Sequence, residues 1–275
     1  MADKKWDALV WGDYEAVMPL VWGKKLGFKF LYQPFFCQQL GVFSKTKLSE
    51  NTNKTENWVS TDDFIKAIPS QFRYWDFHLN YWNKYYSPSI NFINRTSYSI
   101  DLNDNYIDIY DKYSSDAKKN LAKLSLKNFV VKSDSVEVAA KSFFDSYGQH
   151  YKNAELWKTR IVACAKEAIA LNKGFVRSIY GPDHELWCSG FFFKAKNRIH
   201  YAMAAPTEIG KKNGATHALI DEVIKEFSNS NLIFDFEGSD IQSVAYFYSK
   251  FGSVKNHYLE IINNNMPWYI KLFKS

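Results

Sequence analysis

The sequence predicts an α+β protein built as two tandem domains, each a mixed, mostly antiparallel sheet flanked by helices. Three observations carry this. Aromatic and β-branched stretches recur at short spacing through the first hundred residues, the hydrophobic period changes from two to helical near Ser114, and from Phe129 onward the elements read β, α, α, β, β, β, α, β, α, β. A length of 275 residues allows one large domain or two ordinary ones, and two are expected, 1–127 and 128–275. Apolar residues make up 46% and aromatics 18%, which excludes disorder and calls for thick, well-packed sheets.

The first strands are "DALVWGDY", "EAVMPLVWGKK" and "FKFLYQPFFCQQLGVFS", punctuated by Gly12, Gly23 and Pro34. "LSENTNKTEN" is a polar loop, and "TDDFIKAI" a short helix capped by Thr61 that stops before Pro69. "RYWDFHLNYW", "SINFINRTSYSIDL" and "YIDIY" read as strands. In "SSDAKKNLAKLSLKNF", Ala117, Leu121, Leu124 and Leu126 mark one helical face. The strand "FVVKSDS" precedes two helices, "SVEVAAKSFFDSYGQHY" and "AELWKTRIVACAKEAIALN", the second ended by Gly174. Three hairpin-linked strands follow: "GFVRSIYG", "ELWCSGFFFKAK" and "RIHYAMAAP". The helix "THALIDEVIKEF" has Ala218, Leu219, Val223 and Phe227 on one side. The strand "LIFDF", the helix "DIQSVAYFYSKF" and the strand "HYLEII" complete the chain.

No apolar run reaches the roughly 18 to 20 residues of a membrane span, and the charged start is unlike a signal peptide, so a cytoplasmic location is expected. Cys37, Cys164 and Cys188 are odd in number and widely spaced, which argues for small buried hydrophobes over a disulfide framework. The six histidines include no H-x-x-x-H or H-E-x-x-H, so no metal is expected, and the absence of G-x-S-x-G removes the common hydrolase elbow. A net charge of +6 fits a phosphate-bearing ligand or RNA, and equally a solvated surface. Trp75, Tyr81, Trp82, Tyr85 and Tyr86 form the densest aromatic cluster, either core or the wall of an acceptor groove.

The stretch "LIFDFEGSDIQSVAYFYSKFGS" poses a sharper question, because Asp235 lies between two phenylalanines and Glu237 follows directly. Burying an unpaired carboxylate costs several kcal/mol. Period two sets Phe234 and Phe236 on one strand face and Asp235 and Glu237 on the other. Either Asp235 is paired with a buried cation and Glu237, Ser239 and Asp240 form a turn, or the two carboxylates line a site.

The order of elements from Phe129 to Ile262 resembles the GNAT acyltransferase fold. That family binds its acyl donor through a Q/R-x-x-G-x-G/A loop between a strand and the next helix, where this chain has "GKKNGATHALIDE". The resemblance implies that Lys211, Lys212, Asn213, Gly214, Ala215 and Thr216 hold the donor's phosphates, with helix N-terminal N–H groups pointing outward and Gly214 permitting close approach. Lys211 stands where the family has Gln or Arg, and Thr216 where it has Gly or Ala. The family motif N-x-x-A-x-x-x-Y-x-K-x-G-F, matched at Tyr248, Lys250 and Gly252, implies that Tyr248 protonates the leaving thiolate. Ile241, Val244 and Ser253 depart from that motif. The longer strings "MPLVWGKKLGFKFLYQPFFCQQLG", "SYSIDL" with "YSSDAKKNLAKLSLKNF", and "FDFEGSDIQSVAYFYSKFGS" together resemble the FemAB-like acyltransferases, which carry two GNAT-like halves with the first degenerate.

The resemblance implies an N-acyltransferase that takes an acyl or aminoacyl group from acyl-CoA, acetyl-CoA for example, or from aminoacyl-tRNA. The acceptor would be an amine-bearing small molecule or peptide, Glu237 the base, and Asp235 the group that orients the acceptor. The alternative is a non-catalytic module on the same fold that holds RNA, a glycan or a protein partner.

Overall fold

A computed structural model describes residues 5–46, 48, 59–87 and 90–271 of the chain. In chain order its elements begin with the strands β1 (Trp6–Trp11), β2 (Ala16–Lys25), β3 (Phe28–Tyr32) and β4 (Phe43–Ser44), the helix α1 (Thr61–Lys66), and the strands β5 (Phe72–His78) and β6 (Asn91–Asp101). They continue with α2 (Tyr106–Asp111), α3 (Ser115–Ser125), β7 (Val130–Lys132), α4 (Val136–Tyr147) and α5 (Ala154–Ala170). Then come β8 (Gly174–Tyr180), β9 (Leu186–Ala195), β10 (Arg198–Pro206), α6 (Glu208–Asn213), α7 (Ala215–Phe227), β11 (Ile233–Gly238), α8 (Gln242–Ser249), β12 (Val254–Asn264) and α9 (Trp268–Lys271). Among the described residues no helix is long and apolar enough to cross a membrane.

The chain divides into two compact units, one of residues 1–96 with 256–275, the other of residues 97–255. Residues 97–127 fall in the second unit because their apolar side chains, Ile100, Leu102, Ile109, Ala117 and Leu124, join one core with Phe192, Leu219 and Phe234. The first unit orders its strands β1-β2-β3-β5-β12, followed by the beginning of β6. Its core gathers Met18, Leu31, Ile65, Phe72, Phe77 and Ile261. α1 is started by a reciprocal cap: Asp63 N–H donates to Ser60 Oγ at 3.2 Å and Ser60 N–H donates to Asp63 Oδ2 at 3.1 Å. The cap is therefore Ser60, and the expected Thr61 is the first helical residue.

In the second unit the end of β6 is followed across the sheet by β11, β10, β9, β8 and β7. Every pairing there is antiparallel except β10 with β11. Phe192, Ile199, Phe234 and Phe236 fill one sheet face against Ala218, Leu219 and Val223 of α7, the helical stripe the sequence predicts.

Four local expectations are corrected. "YIDIY" is the helix α2, not a strand: Asn105 accepts a hydrogen bond from Asp108 N–H at 3.1 Å and starts the helix, and Tyr106, Tyr110 and Tyr113 then meet at i, i+4 and i+7. Leu126 lies just past α3 and is 82% exposed, so the helical face ends at Leu124. α5 ends before Asn172, which takes a left-handed φ of 55°, and Gly174 already belongs to β8. Only Cys188 of the three thiols is fully buried, Cys37 and Cys164 being half-buried.

Candidate active site

In the second unit β10 and β11 part. β10 and β11 pair only through Arg198↔Ile233, Ile199↔Phe234 and His200↔Asp235, although β10 runs on to Pro206 and β11 to Gly238. Irregularities fall at the same level on both sides. The β10–β9 register slips between Tyr201 and Met203, and the β11–β6 register slips between Asp235 and Gly238. Bulges of this kind bend a strand and re-aim its side chains. Glu237 occupies the second slip with φ +66°, a left-handed conformation that is uncommon and strained for glutamate.

Period two holds as expected. Phe234 and Phe236 are 0% and 1% exposed in the core, while Asp235 and Glu237 face Arg198 and His200 of β10. Asp235, 1% exposed, accepts from Arg198 Nη1 at 2.8 Å and from Ser97 Oγ at 3.3 Å. Its Oδ1 also accepts the Glu237 backbone N–H at 2.9 Å. Asp235 thus holds the backbone that presents Glu237.

Glu237 in turn meets His200, with Nδ1 to Oε1 at 2.6 Å, and both side chains keep some exposure, 22% and 27%. Burial pushes the Glu237 carboxyl above its usual range, with His200 pulling the other way. Burial lowers the affinity of His200 for its proton, but the hydrogen bond and charge of Glu237 outweigh it and leave a net rise. The two groups titrate as one pair. An imidazole and a carboxylate so coupled, open to solvent on one side, form a proton acceptor.

Tyr248 reaches this place from α8. Its ring stacks on Phe236 at 4.5 Å and 25°, and burial, then the charge of Glu237, hold its phenol protonated well above the ordinary range. Lys250 of the same motif is paired with Asp116 at 2.5 Å. Ser239 makes the turn before α8, accepting the Ile241 N–H at 3.2 Å.

The segment 211–216 is two helix ends and not an open loop. Lys211, Lys212 and Asn213 form the last turn of α6, Lys211 lying 3.4 Å from Glu208 and Asn213 accepting from Lys127 Nζ at 2.6 Å. α6 sits so close to β9 that a Cβ on Gly210 would come within 1.7 Å of the Trp187 carbonyl oxygen. Gly214, φ +72°, caps α6 and opens α7 with no side chain over the first N–H groups of α7. Ala215 is buried, and the Thr216 hydroxyl lies 4.0 Å from Cys188 Sγ inside the first turn rather than at the cap.

His200 is the site residue that sequence reasoning missed. Its signal was the two-residue spacing of Arg198 and His200, which matches that of Asp235 and Glu237 on the neighbouring strand. Among the described residues no group of three His, Cys, Asp or Glu side chains is placed to hold a metal ion. The aromatic cluster of the first unit divides: Trp75 and Tyr85 are core at 7% and 5% exposure, while Trp82 and Tyr86 are exposed at 72% and 53%.

No protein-family model and no curated protein matches the sequence. Solved structures do. FemX aligns over 98% of this chain and 91% of its own with a TM-score of 0.65 at 9% identity. The C-terminal domain assigned to a lysylphosphatidylglycerol synthetase of Agrobacterium fabrum aligns over 98% and 87% with a TM-score of 0.55 at 8% identity. L-PGS from Bacillus licheniformis gives the same coverage and TM-score at 9% identity. Likeness at that identity speaks for the fold alone, and the fold is the one seen in FemX and in these synthetase structures.

Proposed function

We propose that the chain is an N-acyltransferase that moves an acyl or aminoacyl group from acyl-CoA or aminoacyl-tRNA, in the cytoplasm, to an amine-bearing small molecule or peptide. The observation that carries this reading is the His200–Glu237 pair at the point where β10 and β11 part. The donor carbonyl lies in the opening between the strands. As the acceptor nitrogen attacks, the new C–N bond forms and the carbonyl π electrons move to oxygen. Glu237, hydrogen-bonded to His200, takes the ammonium proton. The intermediate then collapses, the bond to the thiol or ribose oxygen breaks, and Tyr248 protonates that leaving group. The uncapped first turn of α7, with Lys211 and Lys212 nearby in sequence, supplies N–H groups and charge for the donor's phosphates. The named synthetase among the similar structures favours an aminoacyl donor.

Transfer is tested with acetyl-CoA and with bulk aminoacylated tRNA as donors, against primary amines and lysine-containing peptides. Glu237→Gln should lower turnover by about 10²- to 10⁴-fold, the usual contribution of a positioned base, and should abolish the acid limb of the pH profile. An unchanged rate and profile in that variant would remove Glu237 from the chemistry.

A further inference from the structure

Tyr201 stands at the first residue of the β10 slip, directly after His200, and its side chain points to the sheet face opposite the His200–Glu237 pair. It is half-buried among aromatic rings: Tyr248 edge-on at 6.2 Å and 84°, Phe236 at 6.3 Å and Phe234 at 6.3 Å. Tyr98 of β6 closes the group, its ring 6.3 Å from Tyr248. The ring faces are thus occupied by one another, which leaves no aromatic cage for a cation. The hydroxyls are different. Among the described residues no hydrogen bond reaches the Tyr201 or the Tyr248 hydroxyl, and both side chains keep part of their surface exposed. Burial and the neighbouring phenols Tyr248 and Tyr147 keep Tyr201 protonated far beyond neutral pH, so it is a donor throughout the working range.

Resting on the transferase reading above, we infer that the Tyr201 hydroxyl donates a hydrogen bond to the acyl oxygen in the opening between β10 and β11, stabilising the oxyanion while Glu237 takes the amine proton from the opposite face. The ligand class is a carbonyl that becomes tetrahedral, and Tyr201 has no part in moving protons. This divides the work of the two phenols: Tyr248 gives up its proton to the leaving group, and Tyr201 keeps its own. The bulge supports the assignment, because the slip turns β10 away from β11 at the residue whose hydroxyl lacks a partner.

The test compares Tyr201→Phe with wild type and with Glu237→Gln, using acetyl-CoA and bulk aminoacylated tRNA, and reads kcat, donor KM and the thermal midpoint. Removing one oxyanion donor should lower kcat by about 10²-fold, with KM and the midpoint nearly unchanged. The rate deficit should be the same at every pH, unlike that of Glu237→Gln. A Tyr201→Phe enzyme with wild-type kcat, beside a Glu237→Gln enzyme that is inactive, would overturn this role and leave the transferase reading standing. If both variants turn over like wild type, the roles of Tyr201 and Glu237 fall together, whereas no transfer by the wild type from either donor overturns the transferase reading and this role with it.

Discussion

Each unit contains a largely buried glutamate on a sheet face, and the two are partnered differently. In the first unit Glu260, 7% exposed, is held by Arg95 at 2.5 Å. In the second, Glu237, 22% exposed, is held by His200 at 2.6 Å. A guanidinium stays charged at all accessible pH, so Arg95 is a fixed cation that exchanges no proton with its partner. An imidazole titrates near neutrality, so the Glu237 pair can do both. The same desolvation problem is answered once with a fixed cation and once with a switchable one, and the second answer lies where β10 and β11 part. Asp235 shows that the contrast concerns role and not location: two residues from Glu237, it takes the fixed cation Arg198 at 2.8 Å.

The largest effect is expected from breaking the fixed pair of the second unit. Asp235→Ala removes the buried carboxylate that pairs with Arg198 and the anchor of the Glu237 backbone, and should destabilise the protein by about 3 to 4 kcal/mol in denaturant titrations. A loss below about 1 kcal/mol would show that Arg198 finds another partner. The comparison is sharpened by Asp221 of α7, a buried carboxylate with no cation at hydrogen-bonding distance among the described residues. Tyr106 donates to its two oxygens at 2.9 and 3.0 Å, yet burial raises its pKa to about 6. A folded pKa above the unfolded value of 3.8 means that the folded state binds the proton more tightly, so this carboxyl favours folding in acid and loses stability as pH climbs from 4 through 6. Asp221→Asn should therefore be relatively more stable at pH 7.5 than at pH 4, by about 2 to 3 kcal/mol. A pH-independent difference would place the burden elsewhere.

Next in size is the direct contrast of the two glutamates. Glu260→Gln should cost about 2 kcal/mol, less than a fully buried pair because Arg95 is one-third exposed. Glu237→Gln should stay within about 1 kcal/mol of wild type in stability, since burial already disfavours its charged form. If the two variants lost equal stability, Glu237 would be a structural ion-pair partner like Glu260.

The order of elements was legible because it rests on period and punctuation, which are local. "LIFDF" read correctly down to the faces of Phe234 and Asp235, since alternation is fixed by the strand itself. "YIDIY" misled because alternation over five residues also fits a helix turn, and the cap that decides it is the single side chain of Asn105. The pair of carboxylates was visible as an anomaly, but their partners were not. His200 and Arg198 lie 37 residues from Glu237 and Asp235 in the chain and meet them only through the register of two parallel strands, which no short window encodes. The left-handed backbone at Glu237 was equally hidden, because nothing in the residue type announces it.

That backbone supports the smallest prediction. Gly214 and Glu237 both have left-handed φ, +72° and +66°, but only the first is glycine. A Cβ on Gly214 would meet Leu124 at 3.7 Å and His217 at 3.8 Å, ordinary contacts, so Gly214→Ala should lose about 1 kcal/mol through the backbone alone. At Glu237 the strain is already present and offset by the Asp235 hydrogen bond. Glu237→Gly should relieve it while losing the His200 contact, leaving stability within about 1 kcal/mol of wild type. Denaturant midpoints measured on the two variants check this. A clear loss for Gly214→Ala beside a near-neutral Glu237→Gly would show that the second left-handed residue keeps its side chain for chemistry and not for folding. A loss of several kcal/mol for Glu237→Gly would make the His200 contact part of the scaffold.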